Sequence, residues 1–177
     1  MKPINLLIIM GILASVLSGC KSSKVAGNDS QEPTQPVVER TMPQGRLIGV
    51  EYRYGGMMME MVSNFNLSRR EEPARLSFYF YNQEVSYEVS DTLFDAARRI
   101  IEEEKMYAYA PDYSLELNEM ILDGFHWSFT AAFEDERIHS SGSHVWPEGK
   151  GLNRLSTLLR DAAMDCLRKS GRLDEGR

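Results

Sequence analysis

The period of apolar and polar positions changes several times along the chain. From Leu47 to Tyr54, Ile48, Val50, Tyr52 and Tyr54 alternate with Gly49, Glu51 and Arg53, the two-residue period of a strand with one buried face. Gly55-Gly56 interrupts the pattern, and Met58–Leu67 resumes it with Met59, Met61, Phe65 and Leu67 on one side. The charged run Arg69-Arg70-Glu71-Glu72-Pro73 predicts a turn. Leu76–Tyr81 then sets Leu76, Phe78 and Phe80 against Ser77, Tyr79 and Tyr81. Asn82-Gln83 predicts a two-residue turn into a fourth strand over Glu84–Val89. Four strands with short connections imply an antiparallel meander, because parallel neighbours need a long crossover.

The period then lengthens. Ser90 or Asp91 caps a helix whose apolar stripe is Leu93, Phe94, Ala97, Ile100 and Ile101, with Arg98, Arg99 and Glu102-Glu103-Glu104 turned to water. Met106–Leu122 shows no clear period and is broken by Pro111-Asp112. After Asp123-Gly124, Phe125, Trp127, Phe129, Ala131 and Phe133 share one face of the clearest strand in the chain. Glu134-Asp135-Glu136-Arg137 is the expected hairpin tip and Ile138–Ser141 the return. A last helix, Gly151–Leu167, is expected to bury Leu152, Leu155, Leu159, Ala162, Ala163 and Cys166. Strands in runs followed by helices imply an α+β class. The expectation is an antiparallel β-sheet of about six strands, a meander plus a hairpin, packed against two α-helices. This single domain should span residues 45–170, leaving 171–177 as a charged tail.

Composition narrows the function classes. The 177 residues are 42% hydrophobic and 26% charged, enough for a packed core. Twenty basic against 26 acidic residues give a formal charge of −6, which argues against a nucleic-acid partner, since phosphate neutralisation needs a basic stripe. Two cysteines cannot staple a small scaffold with several bridges. No cofactor-binding motif is visible, and no cofactor is expected.

The first twenty residues carry an address. Lys2 is followed by an uncharged stretch, Leu6–Val16, too short to span about 30 Å of hydrocarbon as a stable helix. Lys21-Ser22-Ser23-Lys24 ends it abruptly. Leu17-Ser18-Gly19-Cys20 resembles the lipobox of bacterial lipoproteins. That resemblance implies cleavage after residues 1–19, a diacylglycerol on the Cys20 thiol, and usually acylation of the new amino group. Removing residues 1–19 takes away one lysine and no acid, so the mature charge would be −7. Such a domain is repelled by anionic headgroups, and the acyl chains would do the holding.

Lys21–Gln44 reads as a tether, rich in Ser, Gln, Glu and Gly and punctuated by Pro33, Pro36 and Pro43. With Cys20 it forms the expected segment 20–44, and as a flexible coil it would reach about 25–30 Å. In proteobacterial lipoproteins an aspartate after the lipidated cysteine favours the inner membrane. Lys21 stands there instead, so the resemblance implies the outer membrane, facing the periplasm.

Candidate chemistry is sparse. His126, His139 and His144 are the only histidines and are weak candidates for a zinc or copper site, lacking an HxH or HxxxH spacing. Solvent-facing strand histidines are the plainer reading. Met57-Met58-Met59-Glu60-Met61 offers thioethers to Cu(I), to an apolar partner, or simply to the core. The stretch from Ser140 to Gly149 would offer hydroxyls and backbone N–H groups to an anion ahead of a helix starting near Pro147. It contains no ordered Ser/His/Asp set, so no catalytic residue is assigned. Cys166 reads as a buried, inert thiol. The acidic runs Glu102–Glu104 and Glu134–Glu136 lack the interleaved ligands of a calcium loop. Tyr79 and Tyr81, sharing a parity away from the core, are the weak partner-binding candidates.

Gly55-Gly56, Asp123-Gly124, Trp127, Ser141-Gly142 and Pro147 together resemble an uncharacterised domain of small bacterial secreted proteins and lipoproteins, which implies no activity. The expected function is therefore a membrane-tethered envelope lipoprotein acting as a binding or structural module for an envelope protein or glycan. The alternatives are a small envelope hydrolase or enzyme inhibitor, and an acyl-chain carrier needing an apolar cavity between sheet and helices.

Overall fold

The computed structural model describes residues 40–56, 61–114 and 124–173. The lipobox with Cys20, most of the tether, Met57–Glu60 of the methionine cluster, residues 115–123 and the last four residues lie outside the described residues.

Six strands form one antiparallel sheet: β1 (Leu47–Gly55), β2 (Val62–Ser68), β3 (Arg75–Phe80), β4 (Gln83–Glu88), β5 (His126–Phe133) and β6 (Arg137–Ser143). Their order is β4-β3-β2-β1-β5-β6. The meander occupies one half, and the hairpin joins its other side through β1–β5 pairing that runs from Leu47↔Phe133 to Gly55↔His126. Helices α1 (Asp91–Glu103) and α2 (Gly151–Lys169) pack on one face, α1 against β1 and α2 against β2. The fold is the expected α+β class.

Between the layers lie Trp127, Phe78, Phe94, Phe129, Leu67, Leu76, Ile101, Leu155 and Leu159, all fully buried. Each such side chain contributes about 1.5–3 kcal/mol through apolar area removed from water. These residues fill the space where an acyl carrier would need a cavity.

Two strands depart from simple alternation, and both departures have a backbone cause. In β1 the register shifts between Leu47 and Gly49, so Leu47 rather than Ile48 reaches the core beside Val50 and Tyr52. In β2 the register shifts between Ser63 and Asn66, where Asn64 adopts a left-handed φ of 54°. The extra residue switches the parity, so Val62 joins Phe65 and Leu67 in the core and Met61 is only half-buried. The β3–β4 turn is Tyr81-Asn82, not Asn82-Gln83: both have positive φ, 46° and 64°, and Phe80 pairs with Gln83. Two left-handed residues give the turn the twist that a two-residue hairpin needs.

On α2 the buried stripe runs Leu152, Leu155, Ser156, Leu159, Ala163 and Leu167. Steps of four residues from Leu155 carry it to Ala163 and Leu167, leaving Ala162 and Cys166 half-buried at its border. Cys166 is thus not the fully buried thiol expected, although burial still raises its pKa.

The hairpin tip does more than face water. Asp135 accepts the backbone N–H groups of Gln44 (3.0 Å) and Gly45 (2.9 Å), and Glu134 accepts that of Arg46 (3.2 Å). The N–H of Gly45 chiefly holds the Asp135 carboxyl below its ordinary 3.8. A depressed carboxylate stabilises the fold above its unfolded pKa and loses that contribution as the pH falls through its folded value. The amide resonances of Gln44 and Gly45 should therefore titrate together with a midpoint below 3.8. A midpoint at or above that value would remove the clasp from the structure's description.

Arg69 lies under the start of α1, its side chain 8% exposed, with the guanidinium 3.7 Å from the centre of the Phe94 ring. Burial lowers its pKa, and its Nε has no hydrogen-bond partner among the described residues. Its ion pair with Asp91 is long, at 3.5 Å. An unpaired buried donor offsets what the ion pair adds, so Arg69→Met should change unfolding free energy by no more than about 1 kcal/mol. Urea unfolding of the variant measures this, and a loss of several kcal/mol would show the guanidinium to be well satisfied.

Candidate binding cleft

A concavity of about 450 Å³ opens where β1, the β6–α2 connection and α2 meet. Clefts of this size accept small molecules or the end of a chain. Tyr52 and Tyr54 enter it from the core-facing parity of β1, and Tyr109 from the turn after the 3-10 segment Met106–Ala108. Trp146, Pro147 and Gly149 come from the connection, and Leu152, Asn153, Ser156 and Arg160 from α2.

Trp146 is held from behind. The indole N–H of buried Trp127 donates to the Val145 carbonyl at 2.7 Å, and the His144 N–H donates to the Phe125 carbonyl at 3.1 Å. The Trp146 ring stacks with Phe125 (centroids 4.8 Å, planes 15° apart), Tyr54 (5.9 Å, 22°) and Trp127 (6.1 Å, 8°), yet the residue stays 43% exposed. Gly142 permits this layering, since a Cβ there would lie 2.7 Å from the Trp127 indole nitrogen. Gly151 is equally constrained, because a Cβ would lie 2.5 Å from the Tyr109 hydroxyl.

Arg160 is the one charged side chain that lines the cleft among the described residues. Burial pushes the Tyr109 hydroxyl up to about 12, so it remains a neutral phenol at physiological pH. Ser156 donates its proton to the Asn153 carbonyl at 2.9 Å, a common i−3 bond within a helix. Among the described residues the lining contains no histidine and no carboxylate, hence no base there to activate that hydroxyl.

The sequence-predicted residues fall elsewhere. His126 lies opposite Ser143 and His139 opposite Thr130, four positions apart along the hairpin and so about 13 Å along the strands. His139 Nδ1 is 2.9 Å from the Thr130 hydroxyl, and the His144 ring lies 6.0 Å from Phe125. Among the described residues no three His, Cys, Asp or Glu side chains converge as a metal site. Tyr79 lines a groove of about 350 Å³ on the open face of the sheet with Glu51, Arg53, Asn66 and Glu84, whereas Tyr81 belongs to the turn. The two do not form one strand-face patch, and that face is polar, with Arg75 and Ser77 both bonded to Ser86.

Ser140–Ser143 belong to β6 rather than to a loop. The Ser140 hydroxyl donates to the Ala110 carbonyl at 2.6 Å, and residues 111–113 pair along the β6 edge through Ser141. The helix starts at Gly151, beyond Pro147, and its first exposed amide region already has an anion. Glu104 accepts the Lys150 N–H at 3.3 Å and is itself held by Arg154 at 2.6 Å, which keeps its pKa low. Trp146 was within a stretch that sequence reading singled out. Its partners Tyr52, Tyr54, Tyr109 and Arg160 carried no local signal, because the cleft joins segments up to a hundred residues apart. Among the described residues no helix is long and apolar enough to cross a membrane. No protein-family model matches the chain, and no curated protein or solved structure matches it either.

Proposed function

We propose that the chain is a bacterial lipoprotein tethered to the envelope through lipid on Cys20, and that its folded domain is a binding module with the Trp146 cleft as its site. The tether rests on the lipobox Leu17-Ser18-Gly19-Cys20 and the polar, proline-punctuated segment after it. The cleft carries the binding role: a half-exposed tryptophan, fixed in plane by three stacked rings, beside a few polar groups and one cation. Aromatic rings beside convergent polar side chains are features that a ligand site uses. Among the described residues no base stands beside Ser156, whose hydroxyl is bonded to the Asn153 carbonyl, which supports binding over hydrolysis. The filled interlayer space favours binding over acyl-chain carriage. Lys21 after the cysteine supports the outer membrane, periplasmic side.

Thermal unfolding of the full chain with sugars, nucleotides, aromatic acids and phospholipid micelles tests the binding role. A ligand present at 100 times its Kd stabilises the native state by about 2.7 kcal/mol. For a chain of this size that raises Tm by about 5–10 °C. The same ligand should shift Trp146→Ala by less than 2 °C, about its measurement noise. Silence from every class, or equal shifts in the variant, would dismiss the cleft as a binding site.

A further inference from the structure

We infer that the open edge of the sheet, strand β4, pairs with β4 of a second copy of this chain, antiparallel and centred on Val85. The inference rests on the fold and is independent of the cleft.

The two edges of the sheet are treated differently. Beyond β6, residues 111–113 run along the edge: the Tyr113 N–H donates to the Ser141 carbonyl at 2.9 Å, and the Ser141 N–H to the Pro111 carbonyl at 3.1 Å. Among the described residues no strand lies beyond β4. Its Glu84, Ser86 and Glu88 are exposed, and it carries no proline, no lysine and no register shift against β3. An edge left in this state is a template for another strand.

One bond sets which backbone groups of β4 face outward. The Val89 N–H donates to the Ala74 carbonyl at 2.9 Å, one step past the Arg75↔Glu88 pair. Bonded and non-bonded pairs alternate in an antiparallel ladder. Tyr87, Val85 and Gln83 therefore turn their backbone groups to β3, while Glu88, Ser86 and Glu84 turn theirs outward.

Two identical strands meet about a two-fold axis, each offering the same surface to the other. Opposed residues of a continuous sheet share a face, so the axis falls on a residue rather than between two. Centring on Glu84 opposes that carboxylate to its own copy, and centring on Ser86 opposes Glu84 to Glu88 twice. Like charges directly opposite are destabilising. Centring on Tyr87 keeps only residues 86–88 of β4 in register. Centring on Val85 pairs Gln83–Tyr87 with the same segment of the second copy and sets Glu84 opposite Ser86. Those two residues then exchange N–H···O bonds in both directions through the groups that face outward.

Charge favours a copy of this chain as the occupant. Arg75 Nε donates to the Ser86 hydroxyl at 2.8 Å and Nη2 to the Ser86 carbonyl at 3.1 Å, which brings the guanidinium to the edge. That carbonyl keeps a second lone pair for an incoming N–H. Among the described residues neither Arg75 nor Glu84 has an ion-pair partner. In the Val85-centred pairing, Glu84 of each copy comes beside Arg75 of the other, giving two symmetric ion pairs. On the helix side Val85 meets its own copy, and half-buried Tyr87 lies beside Gln83.

Oxidative crosslinking of the full chain in detergent micelles tests this. Opposed Cα atoms of a non-bonded pair lie about 4.5 Å apart, within disulfide reach. Val85→Cys should form a disulfide-linked dimer that the parent chain, with Cys20 and Cys166 alone, does not. Ser86→Cys, about 7–8 Å from its copy in this register, should not form one. Arg75→Glu or Glu84→Arg in the Val85→Cys chain should lower the dimer yield about fivefold, and the two together should restore it. Sedimentation of the unsubstituted chain should show a dimer that separates on dilution. A monomer at every concentration, no Val85→Cys dimer beyond the parent's, or a stronger one from Ser86→Cys would overturn the inference. So would a double charge variant that stays as low as the single ones. A Val85→Cys chain that links to a different protein in bacterial membranes, instead of to its copy, would also overturn the second-copy assignment.

Discussion

Alanine at Trp127 is expected to lower the unfolding free energy by about 3–5 kcal/mol, a large share of the total for a domain of this size. The residue is 1% exposed and lies 5.7 Å from the Tyr113 ring and 6.1 Å from that of Trp146. Its truncation removes the indole from a space shaped by Gly142 and leaves a cavity in its place. The Val145 carbonyl also loses its 2.7 Å hydrogen bond, freeing the connection that carries Trp146. Trp127→Phe keeps most of the apolar area and should cost less, about 1–3 kcal/mol, through that carbonyl alone. Urea unfolding followed by circular dichroism gives both values. The chain has two tryptophans, so fluorescence of the phenylalanine variant reports on Trp146 by itself. A loss below 1 kcal/mol for the alanine variant would mean that Trp127 does not hold this end of the sheet.

The second large effect is all-or-none. Cys20→Ser should abolish incorporation of labelled palmitate in a bacterial host and leave residues 1–19 attached, because a hydroxyl cannot take the thiol's place as acceptor of the diacylglyceryl group. The folded domain should be unaffected, with the same thermal midpoint as the parent chain. Each buried acyl methylene contributes about 0.8 kcal/mol, and two or more chains hold a protein to a membrane where one does not. Persistent labelling of the serine variant would place the lipid elsewhere, and an unlabelled parent chain would mean that it carries none.

How much of this was legible in advance depended on whether a signal was local. Strands β3 and β5 were readable because nothing interrupts their alternation: Leu76 and Phe78, then Trp127, Phe129, Ala131 and Phe133, are buried as their parity requires. Helix α1 likewise follows its stripe of Phe94, Ala97, Ile100 and Ile101. Strands β1 and β2 were readable as elements but not in detail. A bulge is a backbone choice, and neither Ile48 nor Asn64 announces the shift that moves Leu47 and Val62 inward. Tyr81 shows the same limit, since an aromatic residue at positive φ is uncommon and the strand pattern runs straight through it.

The cleft was less legible than the fold. Its rings come from β1, from the turn after α1 and from the connection before α2, which only the sheet order brings together. Tyr52 and Tyr54 read as one face of a strand and Trp146 as part of the stretch ahead of the last helix, while nothing in the pattern pointed to Arg160. Tyr79 and Tyr81 drew attention for their exposure, yet exposure is local and concavity is not. The three histidines were counted because they are few; the register sets His139 four positions away from His126, whose partner Ser143 precedes His144.

On the proposed reading, the tether and the cleft together would make a domain that samples ligands within reach of a membrane. Lipid at position 20 is the premise on which the compartment, and so the range of available ligands, depends. The intact mass of the chain isolated from bacterial membranes tests it most directly. The expected species begins at Cys20 and is heavier than its polypeptide by a diacylglyceryl group and one amide-linked acyl chain. A mass equal to the bare polypeptide, or one that still includes Met1–Gly19, would contradict it.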